Sequence, residues 1–284
     1  MNARLSELVR LARTCAQSNL KFNGFSRTSI HFFDDMPSKS EAPDWMKQKK
    51  ESGEFGTLKS EFIDLVHDLC EILCLVDIGF ESDYSGNNII GNETLQGARK
   101  GQPAPITGHH WCAMHTRGVP KTEDIQFFIN HTSLGLRVGI YDKRHRISNR
   151  WNEFLKRLHK NKDEIFSQYQ AISEYGFHFV KTPPSEYFNH SMGRVLHPSS
   201  AEEMYEFVCM SEGQFKQSFG LLNIIPHSSM SSNSLIDEIL DQFILSRKIY
   251  ELLQPRKFEK KREVTSEQVI SRRISQLKDK FEIE

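Results

Sequence analysis

Residues 108–118, GHHWCAMHTRG, bring His109, His110, Cys112 and His115 into one short run, a donor set of the kind that holds zinc. The spacing argues against an ion. In an extended strand, residues three apart point to opposite faces, so Cys112 and His115 reach one metal only if the backbone turns between them. His67, Cys70 and Cys74 share a helical face at i, i+3 and i+7. Thiols on a core-packed helix behave as small hydrophobes, however. No metal ligand is assigned on these grounds, and the cofactor stays unknown.

A second chemistry open to the same region is general acid–base catalysis. In a hydrolase or nuclease, His110 would move the proton, with Asn130 beside it as a second catalytic group and Arg137 positioning an anion. Familiar nuclease patterns are incomplete. Gly139-Ile140-Tyr141 matches the first half of a GIY-YIG signature without the second. An HNH unit lacks its partner histidine, and the Glu-x-Lys at Glu259 lies in a charged linker rather than on a strand. There is no Walker A, no GxGxxG opening a helix and no GxSxG.

The elements that would carry these residues follow from periodicity. Helical spacing is expected over residues 3–19, over 57–76 with Thr57 as cap, and over 151–172. Two further helices are expected over 200–219 and 233–253, and a last one from Thr265 with a seam of Ile270, Ile274, Leu277 and Phe281. Residues 20–56 read as a surface segment with a short strand at Ser29 to Phe33. Strands of period two are expected at 109–116, 125–132 and 134–141, with a fourth over 176–181. The implied fold is α+β: a small antiparallel sheet of three to four strands packed with long helices, plus a helical C-terminal part. As domains, this gives a mixed core over 1–182, a helical part over 183–253 and a linker with an amphipathic helix over 254–284.

Register sharpens the picture. If the hairpin opposes apolar positions, Phe127, Ile129 and His131 face Ile140, Val138 and Leu136 on the core side. Gln126, Phe128 and Asn130 then lie with Tyr141, Gly139 and Arg137 on the other. The same logic puts Trp111, Ala113 and His115 inward and His110, Cys112, Met114 and Thr116 on the second face. The competing expectation is that C-terminal helices cover that second face.

Net charge is zero but unevenly spread. Residues 34–93 hold 14 acidic groups against 5 lysines, while residues 137–162 hold nine basic groups against two acidic ones. Phe128, Arg137, Tyr141, Lys143, Arg144, Arg146 and Arg150 therefore form a candidate binding set, with rings to stack on a base and cations to hold phosphate. The leading expectation is a cytoplasmic protein that binds nucleic acid, a nucleotide or another phosphorylated small molecule. The alternatives are the hydrolase above and a module assembling through residues 265–284. Five cysteines, an odd number, and charges within the first helix point to a reducing compartment. No apolar run reaches the roughly 18 to 20 residues needed to span a bilayer.

Overall fold

The computed structural model describes residues 3–37, 41–76, 81, 89–91, 110–120, 124–142, 148–181, 194–210, 219–254 and 267–283. Its helices are α1 (Ala3–Ala16), α2 (Arg27–Ile30), α3 (Ala42–Glu51), α4 (Glu54–Val76), α5 (Ser148–Lys160), α6 (Lys162–Ser173), α7 (Ala201–Cys209), α8 (Leu235–Leu253) and α9 (Glu267–Phe281). Its strands are β1 (His110–Met114), β2 (Gln126–Thr132), β3 (Gly135–Asp142), β4 (His178–Lys181), β5 (Arg194–Leu196) and β6 (Phe219–Ile225). They form one antiparallel sheet in the order β1-β2-β3-β6-β4-β5.

The class is α+β as expected, but the sheet has six strands rather than three to four. The strand that completes it, β6, reads FGLLNII. Its apolar residues fall on both faces, so no alternation marks it, and it was expected to begin inside a helix over 200–219. That helix stops at Cys209 instead. Inserted between β3 and β4, β6 ties the chain beyond residue 183 into the sheet of the first half.

The described helices lie on one face of the sheet. Side chains of α1, α4, α5, α6, α7, α8 and α9 join one continuous buried cluster with Phe127, Ile129, Leu136, Val138, Ile140, Phe179, Phe219, Leu221 and Ile225. The alternate positions, Ala113, Phe128, Val180 and Leu222, form a separate small cluster that, among the described residues, includes no helical one. α8 and α9 do not supply the expected cover of the second face, since they sit with the other helices, yet Phe128 and Arg137 are buried as that expectation has it. The apolar stripe of α8 faces β3 across the core, as its spacing of Ile236, Ile239, Leu240 and Phe243 requires.

Residues 20–37 are not a surface segment. Phe22, Phe25, Ile30, Phe32, Phe33 and Met36 are buried, and the expected strand at Ser29 to Phe33 is the single helical turn α2. α4 organises this region through two carboxylates. Asp68, fully buried, accepts from the Lys21 and Phe22 amides at 2.8–3.0 Å, and Glu61 accepts from the amide and hydroxyl of Ser26. α4 itself begins at Glu54, so Thr57 lies inside it, with its hydroxyl bonded back to the Gly53 carbonyl. α3, also unexpected, seats Trp45 and Met46 against the core.

The helix expected over 151–172 is two helices, parted at Asn161. The cause is a competing set of partners. Asn161 Nδ2 donates to the Leu252 carbonyl and Arg157 Nε to that of Leu253, which caps the last turn of α8 and draws the chain out of helical geometry.

The final helix packs on α1, burying Ile270, Ile274 and Leu277 within this chain, so three of the four seam positions that suggested assembly are occupied, while Phe281 is 37% exposed. Arg273 Nε reaches the Leu75 carbonyl near the end of α4 at 2.9 Å. Arg273→Met is expected to lower the free energy of unfolding by about 1 kcal/mol in a urea titration, the worth of one such hydrogen bond. No change would mean that α9 is held by its apolar seam alone.

Candidate functional site

The hairpin register follows the sequence expectation at every position: Gln126 pairs with Tyr141, Phe128 with Gly139 and Asn130 with Arg137. β1 does not. His110 pairs with His131, Trp111 with Asn130 and Ala113 with Phe128. His110, Cys112 and Met114 therefore face the helices, and Trp111 and Ala113 face away, the reverse of the expectation. His110 is 3% exposed and meets the Phe62 ring edge-on at 4.6 Å, with Phe55 at 6.2 Å. Asn130 and Arg137 lie on the other side of the sheet, so the catalytic trio is not assembled. His115, expected inward, is buried beyond the end of β1 with Nδ1 3.2 Å from the Thr116 carbonyl oxygen.

Of the cysteines in the rejected metal motifs, Cys70 and Cys112 are buried and Cys74 is half-buried. Cys70 Sγ lies 3.9 Å from Met114 Sδ, and burial pushes its thiol well above the ordinary range. His67 Nδ1 pairs with Asp68 at 2.8 Å.

What the topology assembles instead is the face that is helix-free among the described residues. Cross-strand partners define its rows. One runs Trp111, Asn130, Arg137, Ile224; the next runs Ala113, Phe128, Gly139, Leu222, His178; a third runs Gln126, Tyr141, Gly220. Trp111, Phe128 and Tyr141 form a continuous aromatic stack, with centroids 5.7 and 4.9 Å apart and planes tilted by 35° and 30°. The Trp111 ring lies so close over Gly91 that a Cβ there would stand 1.9 Å from it, which fixes the indole in place.

Gly139 sits at the centre of the face. With φ at +152° and the Leu221 carbonyl oxygen 2.2 Å from where a Cβ would be, only glycine fits. The Gly-Ile-Tyr run that resembled a nuclease signature thus has a conformational cause. Its consequence is a face bare of side chain between Phe128 and Leu222.

Polar groups flank that gap. Arg137 is 8% exposed, so its guanidinium acts in a poorly screened setting. His178 Nδ1 donates to the Gly176 carbonyl at 2.9 Å, which leaves Nε2 as an acceptor. Burial, and then the neighbouring His197 and Arg137, lower its pKa, so the ring is neutral at pH 7. Among the described residues, His178 Nε2 and Asn130 Oδ1 are buried with no hydrogen-bond partner. Most buried polar atoms in folded proteins are hydrogen-bonded, so these two acceptors are candidate points of contact for a ligand's donors. His178 was missed from sequence: its strand was expected, but not the position of β6 between β3 and β4.

Of the remaining candidates, Lys143, Arg144 and Arg146 lie outside the described residues, as does the side chain of Arg150, whose backbone opens α5. The rest of the basic block is divided. α5 packs on the helical face through Trp151, Phe154 and Leu158, so its exposed Lys156 and Lys160 are separated from Arg137 by the sheet. Arg157 is engaged with the end of α8, and Lys162 pairs with Glu202.

No family model, curated protein or solved structure matches the chain.

Proposed function

We propose that this protein binds a small phosphorylated ligand of the nucleotide class against the helix-free face of its sheet. The observation that carries the reading is one row of cross-strand neighbours, Asn130 beside Arg137, flanked by the Trp111–Phe128–Tyr141 stack and by His178. Each part matches a part of such a ligand. The Arg137 guanidinium is a planar cation of the kind that pairs with phosphate oxygens. The aromatic stack offers a ring face to a base, worth about 1–3 kcal/mol per stacked base. Asn130 Oδ1 and His178 Nε2 are acceptors for base amino or ribose hydroxyl groups.

A small ligand is favoured over a nucleic-acid strand because the described basic side chains are split by the sheet. Strand binding needs a continuous cationic track for successive phosphates. The reading keeps the protein in the cytoplasm, which suits five cysteines that are all free thiols. Among the described residues, no helix is long and apolar enough to cross a membrane.

Thermal unfolding with millimolar ATP, GTP or AMP tests the proposal. A ligand at about 100 times its Kd stabilises by about 2.7 kcal/mol, a rise of several degrees for a chain of this size. Arg137→Met is expected to abolish that rise. A flat response to all three nucleotides, or a rise that Arg137→Met leaves intact, would overturn the assignment. A short single-stranded oligonucleotide that binds more tightly than the mononucleotides would favour the nucleic-acid form instead.

A further inference from the structure

We infer that His31, Asp34 and His227 form a binding site for a divalent transition-metal ion of the zinc class. These residues come from two distant parts of the chain and lie away from the helix-free face. His31 and Asp34 stand at i and i+3 in the turn that follows α2, and His227 opens the short 3₁₀ turn after β6. One donor atom from each lies within 4.8 Å of the others. His31 Nδ1 is 2.7 Å from Asp34 Oδ2, and the two imidazole rings meet edge to face at 5.2 Å.

The backbone holds this junction in place without an ion. The Phe25 amide donates to the Met230 carbonyl at 2.8 Å. Gly24, at φ +106°, lies against the Ser231 backbone where a Cβ would overlap at 2.4 Å. Ser26 caps α2 through the Ser29 amide and is itself tied to Glu61 on α4. His31 and His227 are therefore brought together by the fold, and their meeting does not depend on the metal.

A surface His–Asp pair alone accounts for the 2.7 Å contact, but not for His227. Among the described residues its Nε2 is shielded from solvent and has no hydrogen-bond partner, while the ring faces His31. An ion satisfies that lone pair. The donor set also selects the class of ion. Two imidazoles and one carboxylate suit zinc and its neighbours, whereas calcium and magnesium take oxygen donors. Three protein ligands leave a fourth, tetrahedral position for water. The side chains of His31 and Asp34 are 50% and 42% exposed, with room to close to the 2.0–2.2 Å of coordination around the half-buried His227. Bound there, the ion clamps residues 27–34 to the end of β6.

The test uses the full chain after chelation and dialysis. Cobalt(II) is added first, because its visible absorption reports tetrahedral nitrogen and oxygen ligation, and zinc(II) then displaces it. The expected result is one tight equivalent, accompanied by a rise in Tm. His31→Gln and His227→Asn are each expected to weaken binding at least about tenfold, since second-shell losses alone reach that size. The exposed change Asp34→Asn should weaken binding with the metal-free Tm unaltered, which separates loss of a ligand from loss of fold. His67→Gln, in the helical core, should leave affinity unchanged. The proposal is overturned if zinc raises no Tm, or if the His31→Gln, Asp34→Asn double variant binds cobalt as the parent does.

Discussion

Asp68→Ala is expected to lose about 4 kcal/mol of stability, as much as truncating a large core side chain. The carboxylate is fully buried on α4 and accepts from the Lys21 amide through both oxygens at 3.0 Å, from the Phe22 amide at 2.8 Å and from His67 Nδ1 at 2.8 Å. Removing it leaves two main-chain N–H groups without an acceptor beside the core, at about 1–3 kcal/mol each. It also releases the turn that carries Phe22 and Phe25 into that core. Urea titration measures the loss, and limited proteolysis should show cleavage near residues 20–26 appearing only in the variant. Asp68→Asn keeps one carbonyl acceptor and should fall between the two. A loss below about 1 kcal/mol for the alanine variant would show that the N-terminal segment is held by its aromatic side chains alone.

The second large effect is a dependence of stability on pH that resides in His131. This ring is fully buried between Phe25 and Phe33, at 5.4 and 5.6 Å, and among the described residues neither of its nitrogens has a hydrogen-bond partner. Burial, with smaller contributions from His110 and His227, pushes its pKa down to about 3. The unfolded chain binds a proton there below about pH 6.5 and the folded chain does not, so acid favours unfolding through this window. At about 1.36 kcal/mol per pH unit, His131 removes roughly 3 kcal/mol of stability between pH 7 and pH 4, and nothing above pH 7. His131→Leu has no such proton to take up. The difference in unfolding free energy between the two proteins should therefore shift by roughly 3 kcal/mol across that range, since other groups cancel in the comparison. A difference that stays constant with pH would show that His131 is protonated within the fold or opens to water before global unfolding.

Both effects reside in the layer that periodicity described least well. Residues 20–37 lack a helical or period-two pattern because they are pinned by α4 carboxylates and ring packing rather than by a repeating face. Local pattern carries no signal for such contacts across some 40 positions. α4 and α8, by contrast, were legible because each buries one long face, and burying a helical face imposes the 3.6-residue repeat directly.

The β2–β3 hairpin and β1 show the same limit at finer scale. A two-residue connection at Ser133 and Leu134 sets the hairpin register, and the apolar positions of its two strands agree. β1 reaches β2 through a longer connection, and its two faces are nearly equal in hydropathy: His110, Cys112 and Met114 against Trp111 and Ala113. The alternation used for the hairpin put Trp111 inside. The helical layer instead accepts the two sulfur side chains beside Cys70, and the indole closes on Gly91. One residue of slip exchanged every side chain between faces and moved His110 from a candidate catalyst to a core group.

By itself, then, the sequence determined the α+β class, the long amphipathic helices and the pairing of β2 with β3, because each of these is written in contacts between near neighbours or in a single repeating face. It also singled out Phe128, Asn130, Arg137 and Tyr141 as one group. Tertiary structure alone decided that β6 enters between β3 and β4, that His178 therefore joins Arg137, and that the described helices pack on the face opposite this group. It alone brought His227 to His31 and Asp34. Strand order and the meeting of distant turns depend on how layers pack over the whole chain, and such packing leaves no periodic trace at the residues it joins.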